Sequence, residues 1–142
     1  MDEYTDAARD AAVRVAAGAT WLDIVRPGWD GLVVLDTLDM TSPHRCILGQ
    51  VFDRDAVADV LTGYTWARLH FLGGVSQHWP TRERSYALLT AMGFDADRCV
   101  SSALLDQAWG DLIEERRAGY AARRETERLA SLPEDPATGC IP

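Results

Sequence analysis

The residues of this chain best suited to chemistry lie in LDTLDMTSPHRCILGQVF, residues 35–52, where a histidine and a cysteine stand two positions apart. A cysteine at a helix N-terminus can become a reactive thiolate, because the helix dipole lowers its pKa. Residues two apart on a helix point roughly 200° away from each other, so His44 and Cys46 cannot form a catalytic pair or chelate one metal ion together. We expect Cys46 to be a buried, structural thiol. A reactive Cys46 is the alternative.

Two carboxylates stand just before this pair. Asp36 and Asp39 are three residues apart, a spacing at which they can share general acid–base work. Aspartate is also a common turn residue, and we expect the two to orient a turn. Ser42 can cap the next helix with its hydroxyl, and Pro43 suits the first helical position. The pattern predicts structural roles for Asp36, Asp39, Ser42, Pro43 and Cys46.

The sequence predicts no metal site, cofactor site or catalytic residue. Its three cysteines and three histidines match no zinc-binding spacing, and its glycines form no phosphate-binding loop. Widely spaced cysteines without a CxxC motif are typical of reduced thiols, which predicts a cytoplasmic protein. No apolar run approaches the ~20 residues that cross a bilayer, so we expect no membrane association.

A second group of candidate residues lies in EERRAGYAARRETER, residues 114–128. Arginines there can track phosphates while a tyrosine stacks on a base, but four glutamates are interleaved and the net charge of the chain is −8. These charges disfavour nucleic acid and suit either a solvated helix end or a surface that contacts a protein partner or a second copy of the chain. The predicted contact residues are Arg116, Arg117, Tyr120, Arg123 and Arg124.

Two tryptophans in predicted loops join this set of contact candidates. Trp29 stands in PGWDG and Trp79 in QHWPT. An indole in a loop either covers the edge of a core or anchors an interface. We expect them to cover the core edge, and an interface contact at Trp29 or Trp79 is the alternative.

Helical periodicity dominates the rest of the chain. Five stretches show it: residues 5–25, a helix capped by Thr41 or Ser42, residues 54–61, a helix between Thr81 and Gly93, and a long helix from Asp95 or Asp97 to about Leu129. At most a short extended segment is expected near residues 32–36. The apolar content of 47% is enough for one core. The sequence therefore predicts a mainly all-α bundle of about five helices, with one domain over residues 1–132 and a flexible tail over 133–142.

Four stretches together resemble a family of small actinobacterial and actinophage proteins. They are WLDIVRPGW, LDTLDMTSPHRCILGQVF, MGFD and QAWGDLIEERR, and they cover roughly residues 19–52 and 86–117. The family pattern has CVLGQLFG where this chain has CILGQVFD, and it often has a second cysteine where His44 stands. All 14 basic residues are arginine, which agrees with a GC-rich source. The resemblance implies a phage-related source and no particular reaction.

The leading hypothesis is a non-enzymatic, cytoplasmic, phage-related protein that binds another protein, such as a host factor. The alternative is a small thiol- or metal-dependent protein centred on Cys46 and His44. A third hypothesis follows from the acidic charge: the chain occupies the nucleic-acid-binding site of a host factor.

Overall fold

A computed structural model of the chain describes residues 3–53, 62–71 and 86–132. Within these ranges it contains five α-helices and no β-strand, which confirms the all-α fold. In chain order the elements are α1 (Glu3–Val25), 3₁₀ turns at Trp29–Gly31 and Leu35–Thr37, α2 (Ile47–Phe52), α3 (Gly63–Phe71), α4 (residues 86–91 of the described part) and α5 (Ser102–Ser131). The expected long last helix is α5.

The chain divides into two units, Met1–Leu112 and Ile113–Pro142. The first unit has a core of fully buried side chains, the largest of which include Trp29, Trp109, Phe52 and Phe94. In the second unit every side chain from residue 118 to 132 is exposed. The predicted single domain over residues 1–132 stays a prediction.

A glycine turn ends α4. Gly93 has a φ of 74°, a left-handed conformation that glycine adopts without steric cost. Its amide donates to the Thr90 carbonyl at 3.2 Å, and the Phe94 amide donates to the Leu89 carbonyl at 2.8 Å. These two bonds satisfy carbonyls that the helix end leaves open. The predicted role of Gly93 as the helix stop is confirmed.

This glycine turn packs directly on the backbone of α1. A Cβ atom at Gly18 would lie 2.1 Å from the Met92 carbonyl oxygen, so only glycine fits at this position. Trp109 of α5 completes the junction, because its Nε1 donates to the Gly93 carbonyl at 2.7 Å. One buried hydrogen bond and one close backbone contact thus join three helices of the first unit.

The segment near residues 32–36 does not form a strand. The side-chain amide of Gln50 accepts from the Val34 amide at 2.6 Å and donates to the Val34 carbonyl at 3.3 Å. It therefore satisfies the same backbone groups that a neighbouring strand would bind. The chain turns immediately afterwards at Leu35–Thr37.

The predicted start of the last helix is wrong. The α5 helix begins at Ser102, and Ser101 caps it by accepting from the Leu104 amide at 3.2 Å. Asp97 instead organises the preceding turn, because its Oδ1 accepts from the Cys99 and Val100 amides at 2.8 and 2.9 Å. An aspartate can cap a turn as well as a helix, and the sequence does not distinguish the two.

Other expectations fall outside the described residues. They concern the helix over residues 54–61, the cap at Thr81, the loop residue Trp79 and the tail over residues 133–142.

Candidate functional site

The turn before α2 is built by side chains that hydrogen-bond to backbone amides. Asp39 Oδ1 accepts from the Thr41 amide at 2.9 Å and from its hydroxyl at 2.6 Å. Ser42 Oγ accepts from the His44 and Arg45 amides at 3.3 and 3.2 Å. The two hydrogen bonds from Thr41 lower the pKa of the Asp39 carboxyl. Asp39 and Ser42 therefore act on the turn.

The expected start of the helix at Pro43 is wrong. Pro43 lies in a turn over residues 43–45, and α2 begins at Ile47 with Cys46 as its N-cap. The Cys46 Sγ accepts from the Gly49 amide at 3.3 Å, the role that a serine hydroxyl usually fills. The Ser42 hydroxyl is already bound to the turn, which moves the helix start four residues along the chain. Asp36 lies in the earlier Leu35–Thr37 turn with its side chain exposed.

Cys46 is buried, as predicted, with 2% of its surface exposed. Burial first, and the nearby Asp95 carboxylate to a smaller extent, raise the pKa of the thiol to about 11, while the hydrogen bond from the Gly49 amide acts in the opposite direction. At neutral pH the sulfur therefore carries its proton. His44 is exposed, and its Nδ1 lies 3.3 Å from Asp53 Oδ1.

Three side chains that were not among the candidate site residues of the sequence lie next to this turn. The Tyr64 hydroxyl donates to the Asp95 carboxylate, at 3.0 and 2.9 Å from its two oxygens. Burial raises the pKa of Asp95, whereas the Tyr64 bond and the charge of Arg68 act in the opposite direction. Burial also raises the pKa of Tyr64. The Arg68 guanidinium lies over the Tyr64 and Tyr86 rings, 5.9 and 5.1 Å from their centroids.

Close packing of two helices brings Tyr64 to the turn. A Cβ atom at Gly63 would lie 2.4 Å from the Gly49 carbonyl oxygen, so the start of α3 rests on the backbone of α2. The Tyr64 amide then donates to the Pro43 carbonyl at 3.3 Å. The tyrosine side chain is thereby fixed beside the turn.

A cavity of about 120 Å³ opens between these elements. Its lining includes Thr41, Ser42 and Cys46 from the turn, Tyr64 from α3, and Asp95 from the segment after α4. Two of the four stretches that carry the family resemblance, residues 35–52 and 92–95, thus meet at one cavity. Asp95 lies in MGFD, one of the stretches that carry the resemblance, and this was the sequence signal available for it. Its partner Tyr64 lies in none of these stretches.

The predicted contact residues of α5 share one side of the helix. Arg116 and Arg123 are seven residues apart, as are Arg117 and Arg124, and seven residues make nearly two turns. Tyr120 lies between the two pairs, and the Arg123 guanidinium is 5.9 Å from its ring centroid. We call these five residues the arginine face. Arg123 and Arg124 are exposed, and Tyr120 is 39% exposed. Arg116 and Arg117 are half-buried.

Trp29 packs into the core, in agreement with the covering role and not with an exposed contact. Its indole is fully buried, donates to Asp23 Oδ1 at 2.9 Å and packs edge-on against Trp109 at 5.7 Å between centroids. A short turn places this tryptophan in the core, and its loop sequence alone does not predict that burial. Trp79 lies outside the described residues.

Metal and membrane signals were also sought across the described ranges. No group of three or more histidine, cysteine or acidic side chains could hold a metal ion there. None of the helices in these ranges combines the length and apolar character needed to cross a membrane.

Comparison with protein-family models, curated proteins and solved structures gave no match to this chain. The actinobacterial and actinophage resemblance therefore rests on its sequence motifs.

Proposed function

We propose that this chain is a non-enzymatic, cytoplasmic, phage-related protein that acts by binding another protein through the arginine face of α5. The partner presents carboxylates to this face. The observation that carries the proposal is the placement of four arginines and a tyrosine on one side of a helix with an exposed C-terminal half.

Helix energetics support a binding role for this segment. Most of the stability of a helix in a protein comes from burying an apolar face. Residues 118–132 bury no side chain, and the Tyr120 ring on the arginine face is 39% exposed. A partner that covers this segment would supply the missing burial.

Charge favours an acidic protein partner over nucleic acid. Residues 113–132 contain five arginines and four glutamates, a net charge of +1, so the remainder of the chain carries −9. The negative net charge repels the continuous charge of a phosphate backbone at long range, whereas a protein partner needs only a few local carboxylates opposite the arginines and can carry balancing basic residues elsewhere. Arginine and tyrosine are also the residues most enriched at protein interfaces.

The chemistry at Cys46 argues against the thiol-enzyme alternative. A nucleophilic cysteine needs a low pKa and access to substrate. The Cys46 thiol is buried, has a pKa raised to about 11 and is committed to capping α2. A binding function requires no reactive group of this kind.

The family resemblance supports a phage-related source, and from it we infer that the partner is a host protein. The third hypothesis, occupation of a nucleic-acid-binding site, is compatible with this proposal because the first unit is acidic. In that case the arginine face would bind the host factor outside its basic groove.

A crosslinking experiment in host extract tests this proposal. A photoreactive benzoylphenylalanine replaces Tyr120 in one variant and the 64% exposed Val13 of α1 in a control variant. We expect one nuclease-resistant protein adduct from position 120 and none from position 13. Mass spectrometry then identifies the adduct, which should carry an acidic surface.

Charge reversal gives the matched control. The variant Arg123→Glu with Arg124→Glu should abolish the adduct, because carboxylates would then face carboxylates. The pair Arg9→Glu with Arg98→Glu changes the net charge equally at exposed positions and should leave the adduct intact. An adduct that survives reversal at 123 and 124, or binding that survives truncation after Arg117, contradicts the proposal. An adduct lost on nuclease treatment indicates nucleic acid, and an adduct with a second copy of the chain indicates a homodimer.

A further inference from the structure

The cavity beside Cys46 is a separate feature from the arginine face. Its walls come from the turn over residues 40–46, from Tyr64 and from Asp95, all within the first unit. At about 120 Å³ it has room for roughly four waters or a few non-hydrogen atoms. Protein binding through α5 does not account for it.

Hydrogen-bond acceptors dominate the polar lining of this cavity. The Thr41 hydroxyl gives its proton to Asp39 at 2.6 Å, so its oxygen has lone pairs left to accept. Asp95 presents a carboxylate with about four acceptor positions. Among the described residues its hydrogen-bond donor is the single hydroxyl of Tyr64. Ser42 and Cys46 also line the cavity, and each accepts from backbone amides and keeps one hydrogen to donate. The acceptor positions of Asp95 and Thr41 outnumber these two donors.

Among the described contacts, Arg68 makes no hydrogen bond to this carboxylate. Arg68 interacts with Asp95 through its charge, but its guanidinium lies over two tyrosine rings and donates to the Tyr86 hydroxyl. A half-buried carboxylate is costly unless a counter-charge or several donors compensate it. Burial raises the pKa of Asp95, which agrees with incomplete compensation.

We propose that the cavity binds the primary ammonium group of an alkylamine or lysine side chain, with the Asp95 carboxylate as its counter-ion. An ammonium group brings three N–H donors and one positive charge in a compact volume. It matches an acceptor-rich cavity of this size, and its alkyl stem leaves through the open side. Water can fill the same space, but water supplies no charge.

Nuclear magnetic resonance titration tests this site on the full-length protein. n-Butylammonium is the probe, and tetramethylammonium at equal ionic strength is the control because it carries the charge without N–H donors. We expect saturable shifts of the Thr41, Ser42 and Tyr64 amide signals with n-butylammonium alone. Nα-acetyl-lysine N-methylamide then distinguishes the two sources: tighter binding than the simple amine indicates a lysine side chain, and equal binding indicates a free amine.

Two variants of equal charge make the test specific. Asp95→Asn retains an oxygen that can accept from Tyr64 but removes the negative charge, so affinity should fall at least about tenfold. Asp111→Asn changes the net charge equally at an exposed position on α5 and should leave affinity unchanged. Either variant is checked for an unaltered spectrum outside the cavity.

Three results would overturn the site: no saturable shift up to ~100 mM amine, equal shifts with tetramethylammonium, or unchanged affinity in Asp95→Asn. None of these results depends on the arginine face. Failure of the cavity proposal and failure of the α5 proposal are therefore separate outcomes.

Discussion

Glycine has a different role in each of the two units of this protein. In the first unit, a Cβ atom added at Gly18 would lie 2.1 Å from the Met92 carbonyl oxygen. In the second unit, a Cβ atom added at Gly119 would have no neighbour within 4 Å. Both glycines lie in helices. The difference shows that the first unit is held by tertiary packing, while residues 118–132 rely on local helix stability. The first unit thus forms a packed scaffold, whereas residues 118–132 form an exposed surface.

The glycine comparison gives the largest expected effect. Gly18→Ala places a methyl group against backbone that cannot move aside, and we expect a loss of about 3 kcal/mol or more in the free energy of unfolding. Urea denaturation followed by tryptophan fluorescence measures it. A loss below about 1 kcal/mol would show that the α1 junction is not close-packed.

The buried thiol predicts a dependence of stability on alkaline pH. The folded-state pKa of Cys46 is raised to about 11 from the ordinary 9.0, so the folded protein keeps a proton that the unfolded chain loses. The contribution is therefore complete below pH 9 and declines as the pH rises towards 11. The expected decline is about 2–3 kcal/mol, measured by urea denaturation at each pH.

Matched cysteine variants isolate this contribution. Cys46→Ser should lack the decline assigned to the thiol while keeping an oxygen that can cap α2. Cys99→Ser, at an exposed position, should retain it. Equal pH profiles for the two variants would mean that Cys46 is not the titrating group, and Tyr64 would be examined next.

A buried hydrogen bond of the first unit should matter more than a tyrosine hydroxyl of the second. Trp109→Phe removes the donor to the Gly93 carbonyl and should cost about 2 kcal/mol, because that oxygen stays buried. Tyr120→Phe, on the arginine face, should change stability by less than about 0.5 kcal/mol. Similar losses in both variants, measured by thermal unfolding, would remove the distinction between scaffold and surface.

The smallest effect is a gain in the second unit. Gly119→Ala should stabilise α5 locally by about 0.5–1 kcal/mol, because alanine is the better helix former and meets no neighbour. Amide hydrogen exchange of residues 115–125 measures it. A loss of protection would indicate that something packs against this position.

Sequence reasoning was most successful where one local pattern determines one structure. The all-α class, the end of α1 at residue 25, the end of α4 at Gly93 and the burial of Cys46 all followed from periodicity or from a single residue type. It was less successful where several polar residues competed for one role. Ser42 and Asp97 were expected at helix starts, but each binds amides of a turn, and the helices begin later.

The candidate sites show the same division. The arginine face followed from sequence because its members lie within two heptads of one helix, where spacing alone sets their direction. The cavity did not, since Tyr64 and Asp95 are 31 residues apart and carry no pattern that links them. The two roles of Trp29 could not be separated by sequence for the same reason, because its partner Trp109 lies on another element.

The sequence by itself determined the all-α class, the end of α1 and the direction of the arginines, because these depend on residues within a few turns of one another. The tertiary structure decided which glycine tolerates a side chain, where Trp29 lies, and that a carboxylate, a tyrosine and a cysteine share one cavity. These features depend on contacts between distant segments, whose geometry is set by close packing of backbones at Gly18, Gly49 and Gly63.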